Sequence, residues 1–533
     1  MKKRFYLFLF LAGFVVNLTA AFLQPVPGYM DADYYYSGGL QLANGKGFNE
    51  PFIWNYLDNP QAIPHPSHTY WMPLASILAA VGMFLTRSTN FLSARLFLIL
   101  LASAIPPITA SLAYKLNRNL ESSLLAGLLA VFSGFYLMYT SDTETFAIYM
   151  AFGGLFILVA NRLIQSVKPA WSDFIFLGLI SGFMHLARAD GILWFGTAGL
   201  MAVWLWLRYY RHSNIKIALL NGIGILASVS VGYLLLMSPW YIRNLNLYGS
   251  LFSPAGLHTL WITNYDQMFN YPVSQLNFSN WLINGLGQAL QARLDSFKTN
   301  LESAMAVQGE IFLLPLILIG LWRLRKEWII KLGLGIWVIT LLIMTLVFPF
   351  AGERGGFFHS SAAIEPVFWA VVPVGLDGFV SLGVRWRKWS RVSAVRFLGI
   401  GLVLLSIFFT GILFYQRVFG TVPGKIAWSS SWDQYSAVGA ALDRSGADPG
   451  SIVLVNNPPG YFVATGQSGL VIPNGDEQTS LEVANRYGAS YLILEKDHVK
   501  GLDELFMHPG DRPGLKYLMT VGQIYIFQIL KSP

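Results

Sequence analysis

Apolar residues fall in blocks of span length along residues 1–416, separated by short polar turns. A membrane-crossing helix needs roughly 20 mostly apolar residues. Blocks of about that length predict spans near 5–23, 95–114, 121–139, 145–163, 173–187, 191–207, 217–238, 309–322, 328–349, 362–383 and 397–416. The block 72–86, MPLASILAAVGMFLT, is shorter and reads either as a span or as a helix lying in the interface. Charge separates these two. If 72–86 does not cross, Lys2/Lys3/Arg4, Lys115/Arg118, Arg162/Lys168, Arg208/Arg211/Lys216, Arg323/Arg325/Lys326 and Arg385/Arg387/Lys388/Arg391 share one face, as cytoplasmic turns should. Counting it as a span puts every cluster but the first outside. The pattern therefore predicts a mostly α, polytopic membrane protein of about eleven spans, with the N-terminus cytoplasmic and the C-terminus outside. A cleavable signal peptide would have a shorter apolar core than 5–23, so a retained first helix fits better.

After about residue 417 the apolar runs shorten to strand length. SIVLVNN, GLVIPN, SYLILE and QIYIFQIL read as strands, and SLEVANRYGA as a helix between two of them. The expected organisation is a transmembrane domain over 1–416 and a small extracytoplasmic α/β domain over 417–533. The outer face of the first domain carries a long loop, 24–94, holding the interfacial helix 72–86, and a large loop, 239–308.

Composition agrees with a membrane assignment. The chain is 54% hydrophobic and 12% charged, about half the usual charged share. The net charge of +8 sits mostly in the turns between spans, so it reports topology and not a nucleic-acid partner. With 0 cysteines, disulfides, thiolate metal sites and a cysteine nucleophile are excluded.

Candidate chemistry gathers at the outer ends of the spans. Asp31 and Asp33 follow the first span in MDADYYYSGG. On a helix they would point about 200° apart and only one could face a given pocket; in an extended segment both could share a face. The neighbouring tyrosines read first as interfacial anchors. Other outer turns bring Asp142 and Glu144, Arg188 and Asp190, Arg243, and the pair Arg354 and His359 in GERGGFFH. Charges at such depths are expensive unless they pair or line a wet cavity, so their recurrence points to one polar site. The arginines suit phosphate oxygens, which a guanidinium grips through parallel hydrogen bonds. His65 and His68 in PHPSHTYW lack a third local ligand, so loop packing or substrate contact is favoured over a metal. A divalent cation is compatible with the carboxylates, but nothing in the sequence requires one.

The order of these features resembles the GT-C superfamily of polytopic membrane glycosyltransferases, and among them the protein O-mannosyltransferases and the aminoarabinose transferase of lipid A modification. The matching residues are an aspartate after the first span, a tyrosine pair, and Gly-x-Gly-Phe at Gly45, Gly47 and Phe48. Trp71, Pro73 and Leu74 enter the interfacial helix; Asp142 and Glu144, the Arg-x-Asp-Gly turn at Arg188, and Pro-Trp-Tyr-x-Arg-Asn ending at Asn244 follow in order. The resemblance covers 1–416. It implies a hexosyl- or pentosyltransferase of a bacterial plasma (inner) membrane, taking its sugar from a polyprenyl-phosphate donor. Transfer to a lipid, glycan or protein acceptor would occur on the extracytoplasmic face with inversion. By its distance to Gly45, Asp31 stands where the family has its base; Asp33 is an extra carboxylate, since the family often shows adjacent Asp-Glu. Both are catalytic candidates, Asp33 as a group that tunes Asp31 or holds a metal. The alternatives are a glycan transferase of the O-antigen ligase or polymerase type, and a transporter or scaffold without catalysis. A scaffold would leave Asp31, Arg188, Arg243 and Arg354 apart, whereas catalysis needs contact distances.

Overall fold

The computed structural model describes residues 2–167, 169–210, 214–283, 285–387, 390–422 and 424–530; Lys168, Arg211 and Lys388 of the basic turns lie outside them. Among the described residues, eight helices are long and apolar enough to cross a membrane: Lys3–Leu23, Phe91–Asn117, Phe146–Gln165, Ala189–Tyr210, Ile215–Tyr248, Trp328–Val347, Pro349–Arg385 and Arg391–Phe419. Leu120–Val131 and Gly134–Thr140 form a ninth candidate, bent by 44°. Shorter apolar helices, Trp171–Ala187 and Leu314–Arg323, occupy the two other predicted positions. The chain is built as a multi-pass membrane protein, and every predicted block is helical. The block at 309–322 is helical only from Leu314, because Glu310 and Ile311 take positive φ of 42° and 52° and interrupt it. Helices Trp171–Ala187 and Ile215–Tyr248 approach closely where both carry glycine. A Cβ on Gly178 would collide with the Val229 carbonyl oxygen, and one on Gly232 with that of Ile175. Small residues of this kind let membrane helices pack backbone against backbone.

After the first span the chain re-enters a helix at Met30–Ala43, placing Asp31 and Asp33 in its first turn. Carboxylates are favoured there by the exposed N–H groups and the helix dipole. This helix lies against Leu74–Thr86, the predicted interfacial helix, where Ser76 Oγ donates to the Tyr35 carbonyl oxygen at 2.9 Å. Trp54 and Trp71 stack at 4.0 Å beside them, and Tyr34 sits 4.8 Å from Trp71. Tyr34 and Tyr35 are 2% and 1% exposed, so they are core residues and not the interfacial anchors expected. Helical winding, which the tyrosine run alone does not reveal, turns them inward.

The first outer loop is pinned by a short antiparallel ladder, β1 (Asn49–Glu50) with β2 (His65–Pro66). His65 of β2 lies between two buried carboxylates, with Nδ1 3.3 Å from Glu50 and Nε2 3.0 Å from Asp58. Burial alone would lower the imidazole, but hydrogen bonds to Asp58 and Glu50 outweigh it and raise its pKa from 6.5 to about 9. Burial raises Glu50 as well, with His65 opposing. The stabilisation from His65 is complete below about pH 6.5 and is lost as pH rises through about 9. Its size is on the order of 3 kcal/mol, from the linkage of pKa to stability. Melting curves across pH 6 to 10 are expected to show this decline (roughly that size, by the same linkage) and to flatten in His65→Gln.

Beyond the last span, a five-stranded sheet forms from β3 (Ile452–Val455), β4 (Gly469–Val471), β5 (Ala489–Leu494), β6 (Leu515–Val521) and β7 (Ile524–Ile529), in the order β4-β3-β5-β7-β6. The first three strands run parallel and β7 pairs antiparallel with both β5 and β6. Four of these are the strands read from sequence; β6, with alternating Lys516 and Thr520, was not. Helix Glu477–Tyr487 matches the predicted one, while Ser430–Arg444 and Pro458–Thr465 were not anticipated. One face of the sheet shares a core with the outer loops: Leu454, Leu470 and Phe527 join Ile53, Tyr56, Ile262 and Met268. Tyr56 donates its hydroxyl to the Val471 carbonyl and Tyr487 donates to that of Pro60, so the sheet is fastened over the first outer loop.

Candidate active site

Three segments converge beneath this roof. Helix Met30–Ala43 supplies Asp31, the turn before Phe146–Gln165 supplies Glu144, and helix Phe357–Ser361 supplies His359. One ligand atom from each lies within 4.8 Å of the other two. Glu144 is held by Thr145, whose N–H and hydroxyl donate to Oε1 at 2.6 and 2.9 Å, while the Tyr29 hydroxyl reaches Oε2 at 3.4 Å. His359 Nδ1 faces the Glu144 carboxylate at 3.8 Å and is buried with no hydrogen-bond partner among the described residues. Two carboxylate oxygens and an unpartnered imidazole nitrogen form a donor set that fits a divalent cation. Burial is the largest influence on both carboxylates. It lifts Asp31 to about 6 against the pull of Arg188 and Arg354, and it lifts Glu144 to about 8 with the help of Asp31. A bound cation would reverse this and hold both ionised.

Two arginines face the cluster. Arg188, at the end of Trp171–Ala187, is oriented by Asp190, with Nε donating to Oδ1 at 3.0 Å. Burial works against its charge, but Asp190 and the nearby hydroxyl of Tyr149 more than compensate and raise it above its usual range. The Tyr149 hydroxyl also points to Asp190 at 3.5 Å. Arg354 lies in a break within Pro349–Arg385, where Gly355 adopts φ 96°, and its guanidinium rests over the Tyr265 ring at 4.0 Å. The glycine permits this turn, which carries the cation toward Asp31.

The other sequence candidates lie outside the cluster. Asp33 faces away from Asp31, as helical spacing requires, and accepts a hydrogen bond from Asn457 Nδ2 at 3.0 Å. Burial raises its pKa well above the usual carboxylate range, with Asn457 partly opposing. A Cβ on Gly460 would lie 2.8 Å from Asp33 Oδ2, so helix Pro458–Thr465 is seated directly on this carboxylate. Asp142 is fully buried; its Oδ1 accepts from the Thr143 N–H at 2.6 Å. Burial lifts it to about 6, and Arg95 draws it down. Arg243 is a brace and not a neighbour of Asp31: it donates to the carbonyls of Ser67 at 2.7 Å and Phe48 at 3.3 Å, over the Trp240 ring. His68 has both nitrogens engaged, by Ser67 at 2.8 Å and Ser76 at 2.9 Å, and His65 is closed between Glu50 and Asp58. Of the two sequence readings, loop packing describes both histidines.

Arg95, 2% exposed, was missed. It donates to the Ala21 carbonyl at 2.7 Å and stacks on Phe91, leaving Nε and Nη1 without a hydrogen bond. Its signal was present, as an arginine inside an apolar helix needs a reason. Asn457 and Tyr29 carried none.

No profile of a known protein family matches the chain, and no curated protein matches it. Solved structures do. The oligosaccharyltransferase of Archaeoglobus fulgidus in complex with Zn and sulfate is 13% identical, with a TM-score of 0.52 over 91% of this chain and 67% of that one. The archaeal oligosaccharyltransferase AglB from the same organism, with an inhibitory peptide and a dolichol-phosphate, is 13% identical with a TM-score of 0.50 over 92% and 69%. ArnT from Cupriavidus metallidurans is also similar, at 10% identity and a TM-score of 0.41 over 99% and 98%. The chain thus shares the fold of the Archaeoglobus fulgidus oligosaccharyltransferase.

Proposed function

We propose that this protein is an integral-membrane glycosyltransferase that moves a sugar from a polyprenyl-phosphate donor to an acceptor outside the cytoplasm, with inversion. The observation that carries the reading is the convergence of Asp31, Glu144 and His359 within 4.8 Å. Arg188 and Arg354 are both close enough to act on the Asp31 charge. A scaffold has no need of such a cluster, and the archaeal relative with a dolichol-phosphate shares the fold.

The chemistry follows from the residues. An acceptor hydroxyl oxygen attacks the anomeric carbon from the face opposite the phosphate, and its proton passes to the Asp31 carboxylate. Burial alone makes Asp31 more basic than an ordinary carboxylate, and a bound cation would keep it ionised and able to accept. The bond from the anomeric carbon to the phosphate oxygen breaks, and the electron pair leaves with the polyprenyl phosphate. Arg188 and Arg354 stabilise the charge that grows on the departing phosphate. Asp31, Glu144 and His359 would hold a divalent cation, whose charge would add to that stabilisation.

Protein reconstituted in liposomes is expected to transfer label from polyprenyl-phosphate sugars into a membrane extract. Failure with every such donor would remove the reading. Exhaustive chelation, or Glu144→Gln, is expected to lower transfer at least tenfold, with Mn²⁺ restoring the chelated wild type. Undiminished transfer after chelation would exclude the cation while leaving the transferase intact.

A further inference from the structure

The large outer loop encloses a cleft of about 290 Å³ that none of the chemistry above uses. Its walls hold two tryptophans, Trp261 and Trp281, whose rings lie 6.2 Å apart at 62°. Between them the lining is carboxamide, from Gln267, Asn270, Gln275, Asn277 and Asn280. Among the described residues, no charged side chain lines it. This excludes a phosphate or nucleotide, which would call for cations. The aliphatic lining, Leu276 and Ile283, is too sparse for an isoprenoid tail.

The carboxamides are set by the loop, not left floppy. Gln267 Oε1 accepts from the Thr263 N–H at 2.7 Å, and Asn277 Oδ1 accepts from the Asn280 N–H at 2.9 Å. Asn280 Nδ2 donates to the Gln275 carbonyl at 2.9 Å, and Asn270 Oδ1 accepts from Asn474 at 2.6 Å. Within the described residues, Gln267 Nε2 and Asn270 Nδ2 remain as free donors, and Gln275 Oε1 and Asn280 Oδ1 as free acceptors. Fixed donors and acceptors beside indole faces match a pyranose, which offers a C–H face for an aromatic ring and hydroxyls that both give and take hydrogen bonds. One short stretch of chain links the cleft to the Arg354 guanidinium. Tyr265, which carries the Arg354 guanidinium on its ring, opens the short turn Asp266–Phe269 that contains Gln267.

We propose that this cleft binds a neutral oligosaccharide, the distal sugars of a glycan acceptor whose reactive hydroxyl reaches Asp31. The acceptor role rests on the transferase reading; the binding itself does not. The test is saturation-transfer NMR on the full chain in nanodiscs, with neutral hexasaccharides of glucose, mannose and galactose as probes. At least one is expected to show contact through its pyranose C–H groups. Trp281→Ala should weaken that contact at least tenfold, Trp281→Phe should restore part of it, and Asp31→Asn should leave it unchanged. Gln267→Ala and Asn280→Ala, each expected to weaken binding severalfold, carry the test if the tryptophan variant does not fold. Binding of no probe at millimolar concentration, or binding unchanged in Gln267→Ala and Asn280→Ala, would overturn the proposal. Transfer without glycan binding would remove the cleft and spare the transferase. Glycan binding without transfer from any donor would do the reverse.

Discussion

Asp31→Asn is expected to lower sugar transfer by about a thousandfold, the middle of the range for losing a positioned general base. That corresponds to about 4 kcal/mol of transition-state stabilisation. Asparagine keeps the size of the side chain but cannot take up the acceptor proton. The loss should therefore appear in kcat, with donor KM little changed. Stability should not fall. Burial already disfavours the Asp31 charge, and the Thr145 and Tyr29 contacts that order the cluster are made to Glu144. Single-turnover transfer of labelled sugar, together with a melting curve, separates the two effects. Wild-type rates in Asp31→Asn would remove this residue from the base role. Asp33→Asn is expected to differ, because that carboxylate meets Asn457 and not the cluster.

Arg188→Gln is expected to lower transfer by about a hundredfold, as removal of a preorganised donor at a developing charge does elsewhere. The arginine is 16% exposed and held by Asp190, so its guanidinium is fixed before substrate arrives. Lysine keeps the charge but not the fork, so Arg188→Lys should recover only part of the rate. The single variant also leaves Asp190 without its ion-pair partner, which lowers stability independently of chemistry. Arg188→Gln combined with Asp190→Asn removes that complication. If transfer and stability both recover in the double variant, Arg188 acts as a brace and not as the phosphate clamp.

The bundle was legible in sequence because apolar blocks and basic turns are strong, redundant signals. Each predicted span block is helical, and the one at 309–322 is cut short only by the backbone at Glu310 and Ile311. The small mixed sheet was legible from its β-branched runs, except for β6, whose polar alternation is weaker. At the site, sequence leaves both a helix and an extended segment open for Asp31 and Asp33; the helix at Met30–Ala43 separates them, and Asp33 meets Asn457 instead of the cluster. Arg188, Arg354, Glu144 and His359 were found as charges at outer span ends. What sequence could not supply was partnership. Arg243 looks like a phosphate clamp in isolation, yet two backbone carbonyls of the first loop occupy it. His65 and His68 look like ligands until Glu50, Asp58 and Ser76 are seen around them. Asn457, more than 400 positions from Asp33, has no local signature of its contact.

That last contact bears on how the protein can be re-engineered. One short helix presents Asp31 to the Glu144–His359 cluster and Asp33 to the C-terminal sheet region, so the roof and the proposed chemistry share a single lever. Exchanging the sheet for that of a distant relative would require rebuilding the surface around Asn457 and Gly460, not only a splice after the last span. Sequence drift on the two sides of this seam is correspondingly constrained: a change at one face of the helix must be tolerated by the other.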